Sequence, residues 1–328
     1  MHRTYSLNAF FRARFGRRVQ KIPLDAGFDC PNRDGSISRA GCAFCNPSGS
    51  GSGLLDKGLD LRAQWSHWQE RMQKRYGAAL FAAYLQSYSN TYGPHEKLED
   101  VLRQLKGLPG LAALSIGTRP DCLDERKLDL LAEQKEQLGL GEVFLELGLQ
   151  SASNSTLEHI NRGHTAEAFA RAAEQAATRG LNVVAHVIAG LPTPEGREHG
   201  DDLLATVRFV NGLPVNGIKF HNLYVCAGTR MAALWKNGRY EPITLEEYCD
   251  WLGRALMILP PETVVHRLNG DPARGELLAP QWAGEKHTVL NAIRDHLQAN
   301  DIWQGKNNGA PHGPPDHFTP PQENRHAS

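Results

Sequence analysis

KIPLDAGFDCPNRDGSISRAGCAFCN (residues 21–46) sets the pattern that the rest of the chain repeats. A short strand, KIPLDAG, runs directly into a glycine- and serine-containing loop that carries Cys30, Cys42 and Cys45. A strand that opens into a polar loop at its C-terminal end is the first half of a βα unit, with chemistry placed where such folds place it. Three thiols, not four, is the informative number. A closed structural zinc site takes four protein ligands, whereas an iron-sulfur cluster held by three cysteines leaves one iron open to another molecule. The loop has no histidine to complete a zinc tetrahedron; His67 is the nearest downstream. A thioredoxin-like CxxC pair would leave Cys30 without a role. Phe44, inside the CxxC, puts an aromatic face beside the open position, which suits a planar cofactor group and serves simple packing equally well. Structural zinc, which predicts a colourless protein, stays open as the alternative.

The chain has 328 residues, 41% of them hydrophobic and 22% charged, the profile of an ordinary soluble protein large enough for one sizeable core. Its formal net charge is zero, so the whole molecule exerts no general pull on nucleic acid. Arg3, Arg12, Arg14, Arg17, Arg18 and Lys21 all precede the first acid, Asp25. Residues 1–20 therefore read as a basic N-terminal arm, a solvated face first and a phosphate-binding one second. Cys122, Cys226 and Cys249 are scattered and build no disulfide framework, so a reducing cytoplasm is the expected compartment and buried inert thiols their expected role. No apolar run reaches membrane-spanning length, and arginines interrupt LNAFF where a signal peptide needs a continuous apolar segment. A soluble protein without a membrane partner is expected.

Five further strand-like stretches follow: ALFAAYLQSYS (79–89), LAALSIG (111–117), EVFLELGLQS (142–151), RGLNVVAHVIAGLP (179–192) and GIKFHNLYV (217–225). Helical spacing lies between them, at 61–76, 95–108, 124–138, 153–160, 165–179 and 198–211. The alternation predicts an α/β fold, an incomplete (β/α)6-type TIM barrel over residues 21–225, with a C-terminal α/β extension over 226–303 and a disordered tail over 304–328. Loops after parallel strands share one face of such a barrel. Cys30, Ser87 to Thr91, Gly117 to Asp121, Gln150, His186 to Pro192 and His221 should therefore meet on one rim.

GFDCPNRDGSISRAGCAFCN, SIGTRPDC, ELGLQSASNSTLEHINRGHT and VVAHVIAGLP occur in an order that resembles the radical S-adenosylmethionine (SAM) superfamily, in the form with a long first cysteine spacing. YLQSYSNTYGP, GIKFHNLYVCAGTRMAALW and HRLNGDPARGELLAPQW extend the resemblance to its YhcC-like group, near the elongator catalytic subunit, over roughly residues 5–300. The resemblance implies a [4Fe-4S] cluster on Cys30, Cys42 and Cys45, whose open iron chelates the amino and carboxylate groups of SAM. It implies a place near the methionine amino group for Ser87 and Asn90, a pairing of Arg162 with the methionine carboxylate, and a position near the ribose for Gln150. His186 and the turn at Gly190 match the edge of the adenine pocket. The implied reaction is reductive cleavage of SAM to a 5′-deoxyadenosyl radical that takes hydrogen from a substrate. The electron would come from a donor such as a flavodoxin or ferredoxin. RNA, protein and small molecules all remain open as substrates. Gly117 stands before TRPD where elongator relatives carry an acid, and the chain has no room for their acetyltransferase domain, so transfer RNA acetyl chemistry is not implied. A non-catalytic iron-sulfur redox or oxygen sensor on the same fold is the competing reading.

Overall fold

The computed structural model describes residues 3–46, 49, 54–273 and 275–313. Seven strands form one parallel sheet in chain order: β1 (Val19–Leu24), β2 (Leu80–Leu85), β3 (Leu111–Thr118), β4 (Glu142–Gln150), β5 (Asn182–Ala189), β6 (Gly217–Asn222) and β7 (Val264–Arg267). Each pairs in parallel with its neighbours. In a flat sheet β2 and β6, four strands apart, would lie about 19 Å from each other at the usual strand spacing of ~4.8 Å. Instead Lys219 Nζ on β6 is 3.1 Å from the Tyr84 hydroxyl on β2. The sheet is therefore curled into a half-barrel, as six of its seven strands were expected to be.

The two-residue alternation of the strands separates its faces. Ile22, Leu85, Ile116, Leu147, Val187 and Phe220 face outward into the main core, which the helices cover. Among these are α2 (Leu61–Tyr76), α3 (His95–Leu105), α4 (Glu125–Gln137), α6 (Ala166–Ala177) and α7 (Gly200–Asn211). The intervening residues face the barrel interior in layers. Val19, Ala82, Ala113, Phe144 and Val184 make an apolar layer near the strand starts. Lys21, Tyr84, Glu146, His186 and Lys219, two positions further along, make a polar one.

The N-terminal segment differs from a free basic arm. Residues Leu7–Phe15 form helix α1, whose N-cap Ser6 accepts a hydrogen bond from the Ala9 N–H. Phe10 and Phe11 pack edge-on against Phe144 at 5.8 and 6.1 Å, so α1 closes the N-terminal end of the barrel. The aromatic LNAFF run dictates this, because its rings gain more from burial than from solvent. Arg14 meets Glu142 at 2.7 Å, while Arg12, Arg17 and Arg18 stay exposed.

The extension is likewise part of the barrel. Val264–Arg267 adds the seventh strand, and α8 (Leu245–Ile258) packs on α7 and on α9 (Lys286–Ala299). The β-branched pair in TVVHR is the local reason for a strand there. The start of the expected tail also differs. Gln304 is buried, donates to the carbonyls of Pro260 and Thr263, and accepts from the Tyr5 N–H, and Lys306–Asn308 form a 3-10 turn. Residues 314–328 of that expected tail lie outside the described residues.

Candidate active site and cofactor pocket

One cavity of about 390 Å³ opens at the C-terminal ends of the strands. Cys30, Cys42 and Cys45 line it together, close enough that each charge would bear on the others. Burial pushes both the Cys30 and the Cys45 thiol up, and neighbouring Cys42 pushes in the same direction. No three His, Cys, Asp or Glu side chains converge to hold a single metal ion among the described residues.

Donors surround the thiols. Cys42 Sγ has Asn32 Nδ2 at 3.4 Å and Arg162 Nη1 at 3.5 Å. Arg33 donates to the Cys45 carbonyl at 3.0 Å and that of Asn46 at 2.5 Å. Arg119 makes a two-pronged pair with Asp121, at 2.9 and 2.7 Å, and donates to the Arg162 carbonyl at 2.8 Å. Three guanidinium groups beside three sulfurs compensate the negative charge that thiolates and a cluster would bring. Arg33 and Arg119 were not legible as site residues, although Arg119 belongs to the TRPD stretch that the sequence places on the rim.

Arg162, buried, follows α5 (Asn154–His159) and reaches back over β4. Its Nη2 donates to Gly148 O at 2.8 Å, an oxygen that His164 Nε2 also approaches at 3.1 Å. Gly148 makes room for it: a Cβ there would stand 2.3 Å from Arg162 Nη2 and 2.7 Å from Gln150 Nε2. Arg162 Nε is buried without a partner, an unmet donor of the kind a carboxylate-bearing ligand satisfies. Gln150, at φ +79° beside a register shift in β4, is held in a strained backbone state at the cavity wall.

Phe44, Gln150, Arg162 and His186 thus join the three cysteines around one cavity, whereas Ser87, Asn90 and Gly190 do not line it. Ser87 and Asn90 are fully buried behind the wall, where Asn90 Nδ2 caps the Gly117 carbonyl at 2.8 Å. The positive φ of Tyr88 turns the chain between them, and Gln86 and Tyr88 present that strand end to the cavity instead. Gly190 is needed for packing. At φ +81° a Cβ would meet Ile243 Cγ2 at 2.7 Å, and its carbonyl accepts from the Tyr240 hydroxyl at 2.7 Å. Ile188, two residues earlier, is the residue of β5 that faces the cavity near its mouth.

His186 opens onto a feature the sequence did not announce. Its Nε2 lies 3.0 Å from Glu146 Oε2, and Lys21 and Lys219 both contact the same carboxylate. Burial alone would raise the Glu146 carboxyl, but Lys21, Lys219 and His186 outweigh it and hold it well below the usual carboxylate range. Burial takes His186 down to about 4 and Lys219 down to about 7, the latter against the pull of Glu146 and with Lys21 and Arg267 pushing it further. The signal was present as single charges inside apolar strands, at Lys21, Glu146 and Lys219.

The fold and this site define a partial-barrel protein whose three loop thiols line one cavity at the strand ends. A sequence profile of the Radical SAM superfamily matches residues 35–204, and that of the Radical_SAM C-terminal domain matches residues 215–299. YtqA of Bacillus subtilis (strain 168) is 36% identical over 304 residues, 93% of this chain and 92% of its own. YhcC of Escherichia coli (strain K12) is 38% identical over 302 residues, 92% of this chain and 94% of its own. Among solved structures, the archaeal Methanocaldococcus infernus Elp3 with an N-terminal deletion superposes with a TM-score of 0.62 at 20% identity, over 77% of this chain and 62% of that one, a likeness of fold. The chain belongs to the radical SAM superfamily, in its YhcC-like group near the elongator branch. Its cofactors are accordingly a [4Fe-4S] cluster and SAM, and it is an enzyme. Among the described residues no helix is long and apolar enough to cross a membrane.

Proposed function

We propose that Cys30, Cys42 and Cys45 hold the cluster, that Arg162 and Gln150 seat SAM against it, and that the enzyme takes a hydrogen atom from a substrate held in the same cavity. When bound and reduced, the cluster supplies the electron that splits SAM into methionine and a 5′-deoxyadenosyl radical. The observation that carries this reading is the meeting of three thiols with the unmet guanidinium donor of Arg162 at one cavity wall. A redox sensor needs the thiols but has no use for a buried cation placed to receive a carboxylate.

The chain's own residues prepare the site. Gly148 and the Arg119–Asp121 pair fix the guanidinium of Arg162 and the backbone that carries it. Phe44 offers an aromatic wall to the cavity. The electron donor we assign is a small cytoplasmic flavodoxin or ferredoxin. RNA delivery by the basic N-terminal residues finds no support, because α1 lies at the barrel end opposite the cysteine loop.

Anaerobic reconstitution with iron and sulfide, then reduction in the presence of SAM and chromatography for 5′-deoxyadenosine, tests the proposal. Slow release of the nucleoside without added substrate is the expected result. A loaded, reducible cluster that neither binds SAM nor releases the nucleoside would sink it.

A further inference from the structure

The polar layer beneath the cysteine loop has more positive charge than its own residues neutralise. Glu146, with no solvent exposure, already has three partners: Lys21, Lys219 and His186. One carboxylate thus faces two lysines, both 20% exposed or less at the side chain. Arg267 on β7 adds a further cation to the same cavity and pairs with no carboxylate among the described residues. Of the other cavity carboxylates, Asp271 pairs with Lys286, and Glu276 accepts from Asn46 Nδ2 beside the cysteine loop, away from this layer. Burying cations without counter-charge is costly, and the lowered proton affinity of Lys219 is one expression of that cost. Such a site becomes favourable once a ligand brings the missing anion.

We infer that the substrate is a small organic acid whose carboxylate or phosphate docks between Lys219 and Arg267 on the floor of the cavity. This deepens the reading of the cavity as the SAM site and rests on it, because the acid would lie below the cofactor held at the rim. The plug of α1 closes the barrel under this layer, so the occupant enters from the cysteine side and ends there. An enclosed floor takes a small molecule, whereas a polymer backbone would have to stay at the mouth. Tyr84, whose hydroxyl is 3.1 Å from Lys219 Nζ and whose ring lies 4.3 Å under it, steadies the ammonium without neutralising it.

Calorimetry on the cluster-loaded, oxidised chain tests this, with inorganic phosphate and succinate as probes, each titrated without SAM and with saturating SAM. At least one probe should bind at a single site in both conditions, and the preference between them distinguishes a phosphate ester from a carboxylic acid. Lys219→Met and Arg267→Met should each weaken that binding by roughly tenfold or more. Glu146→Gln removes the carboxylate that holds a proton on Lys219, so it should move the pH above which binding falls to a lower value; misfolding cannot mimic such a shift. No binding of either probe, indifference to all three substitutions, or loss of the probe when SAM saturates the protein would overturn the inference. In the last case the cations belong to the cofactor's own carboxylate. Failure of SAM to bind while a probe still does would instead defeat the cofactor reading and leave the anion site standing.

Discussion

Arg162 ties β4 to the cysteine loop, donating to Gly148 O from Nη2 and facing Cys42 Sγ from Nη1. Arg162→Gln keeps neither the charge nor the fork. Iron content should stay near that of the wild type, because all three thiols remain, while SAM affinity falls by roughly tenfold to a hundredfold, the ~1.5–3 kcal/mol of a charge-assisted hydrogen bond. Unchanged affinity by calorimetry would remove Arg162 from the SAM site. Cys30→Ala deletes a ligand instead, and iron per chain after reconstitution should collapse; full iron loading would contradict the ligand set. Lys219 carries the pH dependence. It faces Glu146 on β4, Lys21 on β1, Tyr84 on β2, His186 on β5 and Arg267 on β7, with His221 on its own strand. Burial leaves His186 and His221 neutral near pH 7, so Lys219, down to about 7, is the group that changes charge there. Only its ammonium form attracts an anion. Succinate affinity should therefore hold below pH 7 and fall above it, and a flat profile between about pH 6 and 9 would exclude Lys219 from the binding.

At the scale of elements, two glycines of neighbouring strands do different work. Gly148→Ala, in β4, puts a Cβ 2.3 Å from Arg162 Nη2 in a backbone that alanine tolerates, so it should copy the SAM-binding defect of Arg162→Gln with little loss of stability. Gly190→Ala, just past β5, meets Ile243 at 2.7 Å and is forced to φ +81°. It should lower stability by about 1–3 kcal/mol in urea unfolding and leave SAM affinity intact. The reverse pattern would restore Gly190 to the cofactor pocket. The strands themselves were legible because apolar stretches alternated with helical periodicity at βα spacing. Which of their residues would face the cavity was less so. Ser87 and Asn90 look like site residues in a polar run, yet Asn90 Nδ2 goes to the Gly117 carbonyl of β3 and the turn at Tyr88 keeps both side chains off the cavity. Glu146, set among Val143, Leu145, Leu147 and Leu149, looked like part of a buried strand, and only closure of the barrel shows that its alternate face is a polar interior.

For the whole molecule, the same closure explains why residues far apart in sequence make one site. Cys30 follows β1, Arg119 follows β3, Arg162 follows α5, and Lys219 and Arg267 lie on β6 and β7; parallel strands deliver all of them to one concave face. What escaped the sequence is the place of the seventh strand in the barrel, because VVHR is short and comes after a helix in what reads as an appendix, although pairing with β6 makes it part of the sheet. In the cysteine loop, by contrast, the number of thiols and their spacing already limit the metal chemistry, although Arg33 in the same loop gave no such signal. The most direct test of the whole account is electron paramagnetic resonance of the reconstituted, reduced chain before and after addition of SAM. The account predicts a [4Fe-4S] signal that changes on addition, as the amino and carboxylate groups reach the open iron. A signal indifferent to SAM, or a colourless protein that loads zinc in place of iron, would contradict it.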